Sequence, residues 1–101
     1  DEARALFERV VTLDPEDWEA HTNLAPLLAP SDPAAALRHA LRAHELRPGE
    51  PRTGINLAEA YEQNGQRAAA IELYQRVERG LDADDPLKRV VAQRLEFLRR
   101  R

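Results

Sequence analysis

The chain repeats its own pattern at a spacing of 33 to 34 residues. The tripeptide Asn-Leu-Ala stands at positions 23–25 and again, 33 residues later, at 56–58. A shift of 34 then carries Ala36 onto Ala70 and Ala40 onto Tyr74. Self-similarity at a fixed period of this length indicates stacked supersecondary units, each of which buries its apolar face against its neighbours. The sequence is therefore constrained to a repeat architecture.

Each unit is predicted to contain two helices. In the second unit Leu57 and Tyr61 are spaced i, i+4, as on one face of an amphipathic helix. Gly65 then supplies a helix stop, because glycine tolerates the left-handed conformation that ends many helices. Apolar residues at helical spacing resume up to Gly80, and no window alternates with a period of two. The pattern predicts an all-α fold.

These spacings resemble the tetratricopeptide repeat (TPR), whose pattern runs Leu-Gly-x2-Tyr, Ala-x3-Phe and then Pro. The resemblance covers residues 1 to about 82 and implies a right-handed α-solenoid of antiparallel helix pairs, with about six helices. The matching residues are Leu57, Ala58, Tyr61, Ala70 and Tyr74 in the second unit, Leu24, Ala25, Leu28, Ala36, Ala40 and Pro48 in the first, and Ala3, Phe7 and Pro15 in the opening segment.

The resemblance divides residues 1–101, a single TPR-like domain, into four parts. Residues 1–15 are expected to form the second helix of a truncated repeat, since the matching first helix is absent. Residues 16–48 and 49–82 are expected to be two repeats, and residues 83–101 a C-terminal capping helix with an arginine-rich outer face. Because the chain starts at Asp1 inside a repeat, we expect it to be a segment of a longer protein.

Two prolines have different predicted effects. Pro26 lies inside the first helix of unit one, where it cannot donate a backbone hydrogen bond, so a kink is predicted near Thr22–Pro26. Pro33 follows Asp32, an arrangement that suits the first turn of a helix behind a capping residue.

Composition excludes several function classes. With 43% hydrophobic and 33% charged residues, the chain is too apolar for intrinsic disorder and too charged for a membrane span. The net charge of −3 argues against nucleic-acid binding. The absence of cysteine excludes disulfides and thiolate metal sites and leaves the redox compartment open. The location is unknown from the sequence, with a cytoplasmic one favoured.

No constellation for catalysis is apparent. His39 and His44 are five residues apart, off a common helix face, and no carboxylate pattern completes a metal site with them or with His21. The four glycines are placed at helix ends and turns, which leaves no phosphate-binding loop. We therefore expect no enzyme activity, no metal and no cofactor.

The resemblance implies binding of a peptide or protein partner on a concave wall built from the first helix of each pair. The asparagines there have two readings: pinning a peptide main chain, or only stabilising the helix stack. A carboxylate clamp, which some members of the family use, would need a second cation where Asn56 stands, so none is predicted. The candidate binding residues are Asn23, Arg52, Asn56, Glu59 and Gln63, with Glu19, Thr22, Pro26, Ile55 and Glu62 on the same wall.

Two alternatives remain open at this point. The segment is also consistent with an accessory repeat array of a larger bacterial enzyme, such as a sulfotransferase or a glycosyltransferase. It is equally consistent with a homo-oligomer formed through the open N-terminal end, where Leu6, Phe7 and Val10 lack the neighbour that a preceding helix would supply.

Overall fold

The computed structural model describes residues 1–100 and contains, over that range, six α-helices and no strand. Arg101, the last residue of the predicted capping segment, lies outside the described residues. Loops of three to five residues join the helices, so consecutive helices run antiparallel. The helices are α1 (Glu2–Leu13), α2 (Trp18–Leu28), α3 (Pro33–Leu46), α4 (Pro51–Gln63), α5 (Arg67–Gly80) and α6 (Pro86–Arg99).

Local sequence signals explain where most of the helices begin and end. Five of the six begin behind an acidic residue whose carboxylate accepts a hydrogen bond from a backbone N–H of the first turn. The predicted start at Asp32 and Pro33 is confirmed: Asp32 accepts from the Ala35 N–H, and Pro33 is the first helical residue. Gly65 has a φ of 76°, the left-handed conformation expected after α4.

Equivalent positions of the two repeats are equally buried in the core. Leu24 and Leu57 are both almost inaccessible to solvent, and so are the small residues Ala36 and Ala70 on the second helices. Burying one leucine side chain contributes about 1.5–3 kcal/mol, and alanine lets the paired helices approach closely. The packing thus follows the sequence period, and the prediction of an all-α helical-repeat fold is confirmed.

Gly54 is placed differently from the expectation for the glycines. It lies inside α4 and is buried, rather than at a helix end or in a turn. A Cβ atom added at Gly54 would stand 2.6 Å from Cγ2 of Val77 on α5. The close approach of α4 and α5 therefore leaves no room for a side chain at this point, and that requirement was not visible in the spacing of glycines.

The first helices of successive pairs form one layer. α2 packs against its partner α3 and also lies beside α4, while α6 packs against α5 and reaches α4 through Arg94. The surface made by the exposed faces of α2, α4 and α6 is called the groove below. α6 lies within the segment 83–101, and its capping role stays a prediction. Its residues Leu87, Val91, Leu95 and Leu98 are buried or half-buried.

Candidate functional site: the groove across the first helices

Four of the five candidate residues lie on one stripe of α4. Arg52, Asn56, Glu59 and Gln63 are spaced i, i+4, i+7 and i+11, which places them on a common face of the helix. Arg52, Glu59 and Gln63 are exposed and Asn56 is half-buried. Asn23, the fifth candidate, is exposed on the neighbouring helix α2. The structure therefore brings the candidates to one surface, and their role in binding stays a prediction.

The Asn56 side chain is tied to the backbone of α2. Because Pro26 has no N–H, the Thr22 carbonyl four residues earlier loses its partner within the helix. The Asn56 side-chain nitrogen donates a hydrogen bond to this carbonyl over 2.8 Å. α2 runs through Pro26 as one helix, and a kink of its axis stays a prediction. At Asn56 the structure thus shows stabilisation of the stack, one of the two readings left open by the sequence.

Thr22 does not present its side chain to a ligand, in contrast to the expectation from the sequence. The residue is 3% exposed, and its hydroxyl donates a hydrogen bond to the Trp18 carbonyl over 2.8 Å. Hydroxyl groups of threonine within helices commonly bond back in this way to the carbonyl four residues earlier. Thr22 is therefore part of the wall beneath the groove.

Glu62 is engaged by two neighbouring helices. Its carboxylate accepts a 2.7 Å hydrogen bond from the Tyr74 hydroxyl of α5 and forms an ion pair with Arg94 of α6. Tyr74 is fully buried, and this burial, with the hydrogen bond to Glu62, raises the pKa of the tyrosine well above its usual range. The hydrogen bond to Glu62 likewise raises the pKa of Arg94. This polar contact fastens three helices together, so Glu62 is held by the fold.

Arg52 takes part in a cluster at the start of α2. Its guanidinium lies 5.5 Å from the centre of the Trp18 ring, and an Arg52 nitrogen lies 3.8 Å from a Glu19 carboxylate oxygen. Arg47 approaches the same ring at 5.9 Å. These contacts are exposed and individually weak, so Arg52 keeps the freedom to turn towards a bound carboxylate.

Asn23, Glu59 and Gln63 remain available for contacts with a partner. Within residues 1–100 none of the three side chains makes a hydrogen bond or an ion pair. Loss of surrounding water raises the pKa of the Glu59 carboxyl, and the nearby Glu62 carboxylate adds to this, against the opposing effect of Arg94. Glu59 and Gln63 border a shallow depression with Pro26 of α2. These three side chains can therefore form hydrogen bonds with a partner without breaking a bond of the fold.

The binding residues predicted from the sequence did not include two exposed apolar residues of α6. Val90 and Phe97 are 45% and 48% exposed and are seven residues apart, so they share one helix face. Arg94 lies between them on that face; its guanidinium stands 5.1 Å from the Phe97 ring centre and pairs with Glu62 of α4. The two side chains, named the α6 shelf here, therefore extend the groove. The signal was the position of both residues beside the buried stripe of the last helix.

The histidines contribute to packing. His21 is buried, and its Nε2 donates to the Pro15 carbonyl over 2.8 Å, so its Nδ1, 3.0 Å from Nδ1 of His39, accepts when the ring is neutral. Burial and the neighbouring His21 lower the pKa of His39, while burial and then Arg76 lower that of His44. Among residues 1–100 no group of three or more histidines and carboxylates is arranged to hold a metal ion.

The helix pairs, their period and the polar groove define a helical-repeat protein of the α-solenoid class. The model of a tetratricopeptide repeat family matches residues 27–93, more than half of the chain. The chain therefore belongs to the tetratricopeptide repeat family. This membership supports a role as a protein-interaction scaffold.

Comparison with solved structures gives the same fold. The chain resembles the type III secretion translocator chaperone SycD of Yersinia enterocolitica with a TM-score of 0.84 and 22% sequence identity. The match covers 97% of this chain and 70% of SycD. No curated protein sequence matches the chain. No helix within residues 1–100 is both long enough and apolar enough to cross a membrane.

Proposed function

We propose that this chain is a non-catalytic interaction module that holds a peptide segment of a protein partner in the groove. The observation that carries the proposal is the set of unbonded polar side chains, Asn23, Glu59 and Gln63, on adjoining first helices. Side-chain amides offer both a donor and an acceptor to a peptide main chain. The ligand contacts are therefore assigned to these three residues and to Arg52.

Asn56 has a more limited part in this proposal. Its side-chain nitrogen already donates to the Thr22 carbonyl, so a partner that recruited this nitrogen would have to break a structural bond. A contact through the Asn56 side-chain oxygen leaves that bond intact. We therefore place Asn56 at the floor of the binding site, with Asn23 and Gln63 as the amide contacts.

Site-specific photo-crosslinking tests the proposal. p-Benzoylphenylalanine is introduced at Gln63 in the groove or at Glu72, an exposed residue of α5, and each variant is irradiated in lysate of the source organism. The proposal expects defined crosslinked partners at position 63 that are absent at position 72. Equal crosslinking at both positions, or only at position 72, would place partner binding outside the groove.

Self-association is a second candidate, supported by the exposure of apolar residues on α1. Leu6 and Leu13 are 57% and 82% exposed and share a helix face, whereas Phe7 packs partly against the core. If α1 mediates a homo-oligomer, Leu6→Glu should convert it to monomer in sedimentation velocity without unfolding the chain. A wild-type chain that sediments as a monomer at all concentrations would contradict this candidate. Phe7 is unsuitable for the test because its replacement would disturb packing.

A further inference from the structure

Charged side chains on the α2 and α4 faces of the groove are mostly paired. Glu19 lies 3.8 Å from Arg52, and Glu62 is bonded to Arg94 and Tyr74. Each pair joins one acid to one base and leaves little net charge. Glu59 is the remaining charged side chain of the α4 stripe, and within residues 1–100 it has no ion pair. Among the described residues, the α4 stripe of the groove therefore carries one carboxylate without an ion pair.

The surroundings of Glu59 favour a cation over a second acid. The charged groups that act on the Glu59 pKa are Glu62, which repels a further carboxylate, and Arg94, whose guanidinium is already directed to Glu62. Loss of surrounding water raises the pKa of Glu59, and the Glu62 carboxylate adds to this. An approaching ammonium or guanidinium group would gain a charge-assisted hydrogen bond, whereas a carboxylate would meet two acids.

The α6 shelf supplies a contact of a different kind. Val90 and Phe97 leave about half of their surface exposed, whereas the large apolar residues Val91, Leu95 and Leu98 of the same helix are buried. Phe97 already has the Arg94 guanidinium 5.1 Å from its ring centre, and Arg94 connects this shelf to Glu62, one turn of α4 beyond Glu59. An apolar side chain of a partner would remove this surface from water.

From these observations, and resting on the proposed function, we infer that the groove selects an extended peptide segment with two features. A lysine or arginine side chain of the segment pairs with Glu59, and a nearby apolar side chain packs on the α6 shelf. Alternate side chains of an extended segment point to the same side, so a basic and an apolar residue two positions apart would both face the groove. An acidic side chain is disfavoured at Glu59 by the same charges.

Fluorescence anisotropy with three synthetic probes tests the inference. The fluorescein-labelled peptides have identical Gly-Ser flanks around a central Lys-Gly-Leu, Glu-Gly-Leu or Lys-Gly-Ser. The Lys-Gly-Leu peptide should bind most tightly, and raised salt should weaken it. Glu59→Gln should weaken its binding about threefold to tenfold and reduce its advantage over the Glu-Gly-Leu peptide. Glu72→Gln, which removes an exposed glutamate of α5, should leave both unchanged.

The outcomes separate this inference from the proposed function. Preference for the Glu-Gly-Leu peptide, an unchanged preference in Glu59→Gln, or no binding of any probe would overturn the inference. If Phe97→Ser abolishes binding of the Glu-Gly-Leu probe while Glu59→Gln does not, the groove still binds peptides and only the charge selection is wrong. If neither variant affects a peptide that binds, and crosslinking at position 63 also yields no partner, the proposed function fails as well.

Discussion

The hydrogen bond from Asn56 to the Thr22 carbonyl predicts a strong energetic coupling between Asn56 and Pro26. The carbonyl belongs to a buried residue and needs a side-chain donor because position 26 is proline. In Pro26→Ala the new backbone N–H can donate to the same carbonyl, and the Asn56 contact becomes redundant. The two residues lie 30 positions apart, so local helix propensity does not account for any coupling between them.

The expected magnitudes follow from the two hydrogen bonds. Asn56→Ala in the natural background leaves a buried carbonyl without a donor and should lower the free energy of unfolding by about 1–3 kcal/mol. Proline inside a helix is about 3 kcal/mol less favourable than alanine, so Pro26→Ala should raise the free energy of unfolding by about 1–3 kcal/mol. In the Pro26→Ala background, Asn56→Ala should cost only about 0.5 kcal/mol, which leaves a coupling energy of about 0.5–2.5 kcal/mol.

Urea unfolding of the four proteins, followed by circular dichroism at the helix signal, measures the coupling. In a domain of this size 1 kcal/mol corresponds to a shift of about 4–8 °C in Tm, so thermal scans provide an independent check. Asn23→Ala is the matched control, because this exposed asparagine has no hydrogen bond within residues 1–100 and should change stability by less than about 0.5 kcal/mol. Equal losses for Asn56→Ala in both backgrounds would refute the reasoning.

Three further predictions concern close packing and titration. Gly54→Ala should destabilise the chain by about 1–3 kcal/mol, because the new Cβ atom meets Val77. In a Val77→Ala background the same change should become stabilising by up to about 1 kcal/mol. Urea unfolding with and without Gly54→Ala in each background measures this, and the same sign in both backgrounds would contradict it. His39 has a lowered pKa in the folded chain, so the unfolded chain binds more protons and stability should fall as pH drops below 6.5. His39→Gln should reduce this loss of stability in denaturation curves taken across that pH range. Tyr74 has a raised pKa, so stability should fall as pH rises above 10.0, where the tyrosine of the unfolded chain ionises. Tyr74→Phe should reduce this fall in denaturation curves taken at alkaline pH. An unchanged fall would show that the Tyr74 hydroxyl is not shielded from water.

Local signals were sufficient for the helices and much of their packing. The start of α3 at Asp32 and Pro33, the stop at Gly65 and the burial of Leu24 and Leu57 follow from residues a few positions apart. Such features depend on backbone conformation and on one face of one helix, which the order of residues encodes directly. The family pattern then sufficed to recognise the helical repeat, and the family match confirms it.

For the candidate site, the sequence predicted which residues share one face of α4 but not which of them are bonded to other helices. The i, i+4, i+7 spacing places Arg52, Asn56, Glu59 and Gln63 on one side of α4, whatever lies beside that helix. Which of them is occupied depends on the neighbouring helix. The spacing alone did not indicate that Glu62 is bonded to a buried tyrosine of one helix and an arginine of another.

The sequence alone determined the all-α repeat, its helix boundaries near caps and turns, and the face of α4 that carries the candidate residues. Only the tertiary structure decided that Asn56 serves the Thr22 carbonyl and that Glu59 remains without an ion pair within residues 1–100. The physical reason is range: helix formation and amphipathic spacing act within a few residues, whereas Asn56 meets Thr22 across 34 positions. Such a contact is set by the relative placement of stacked helices, where shifts of a fraction of an ångström make or break a hydrogen bond.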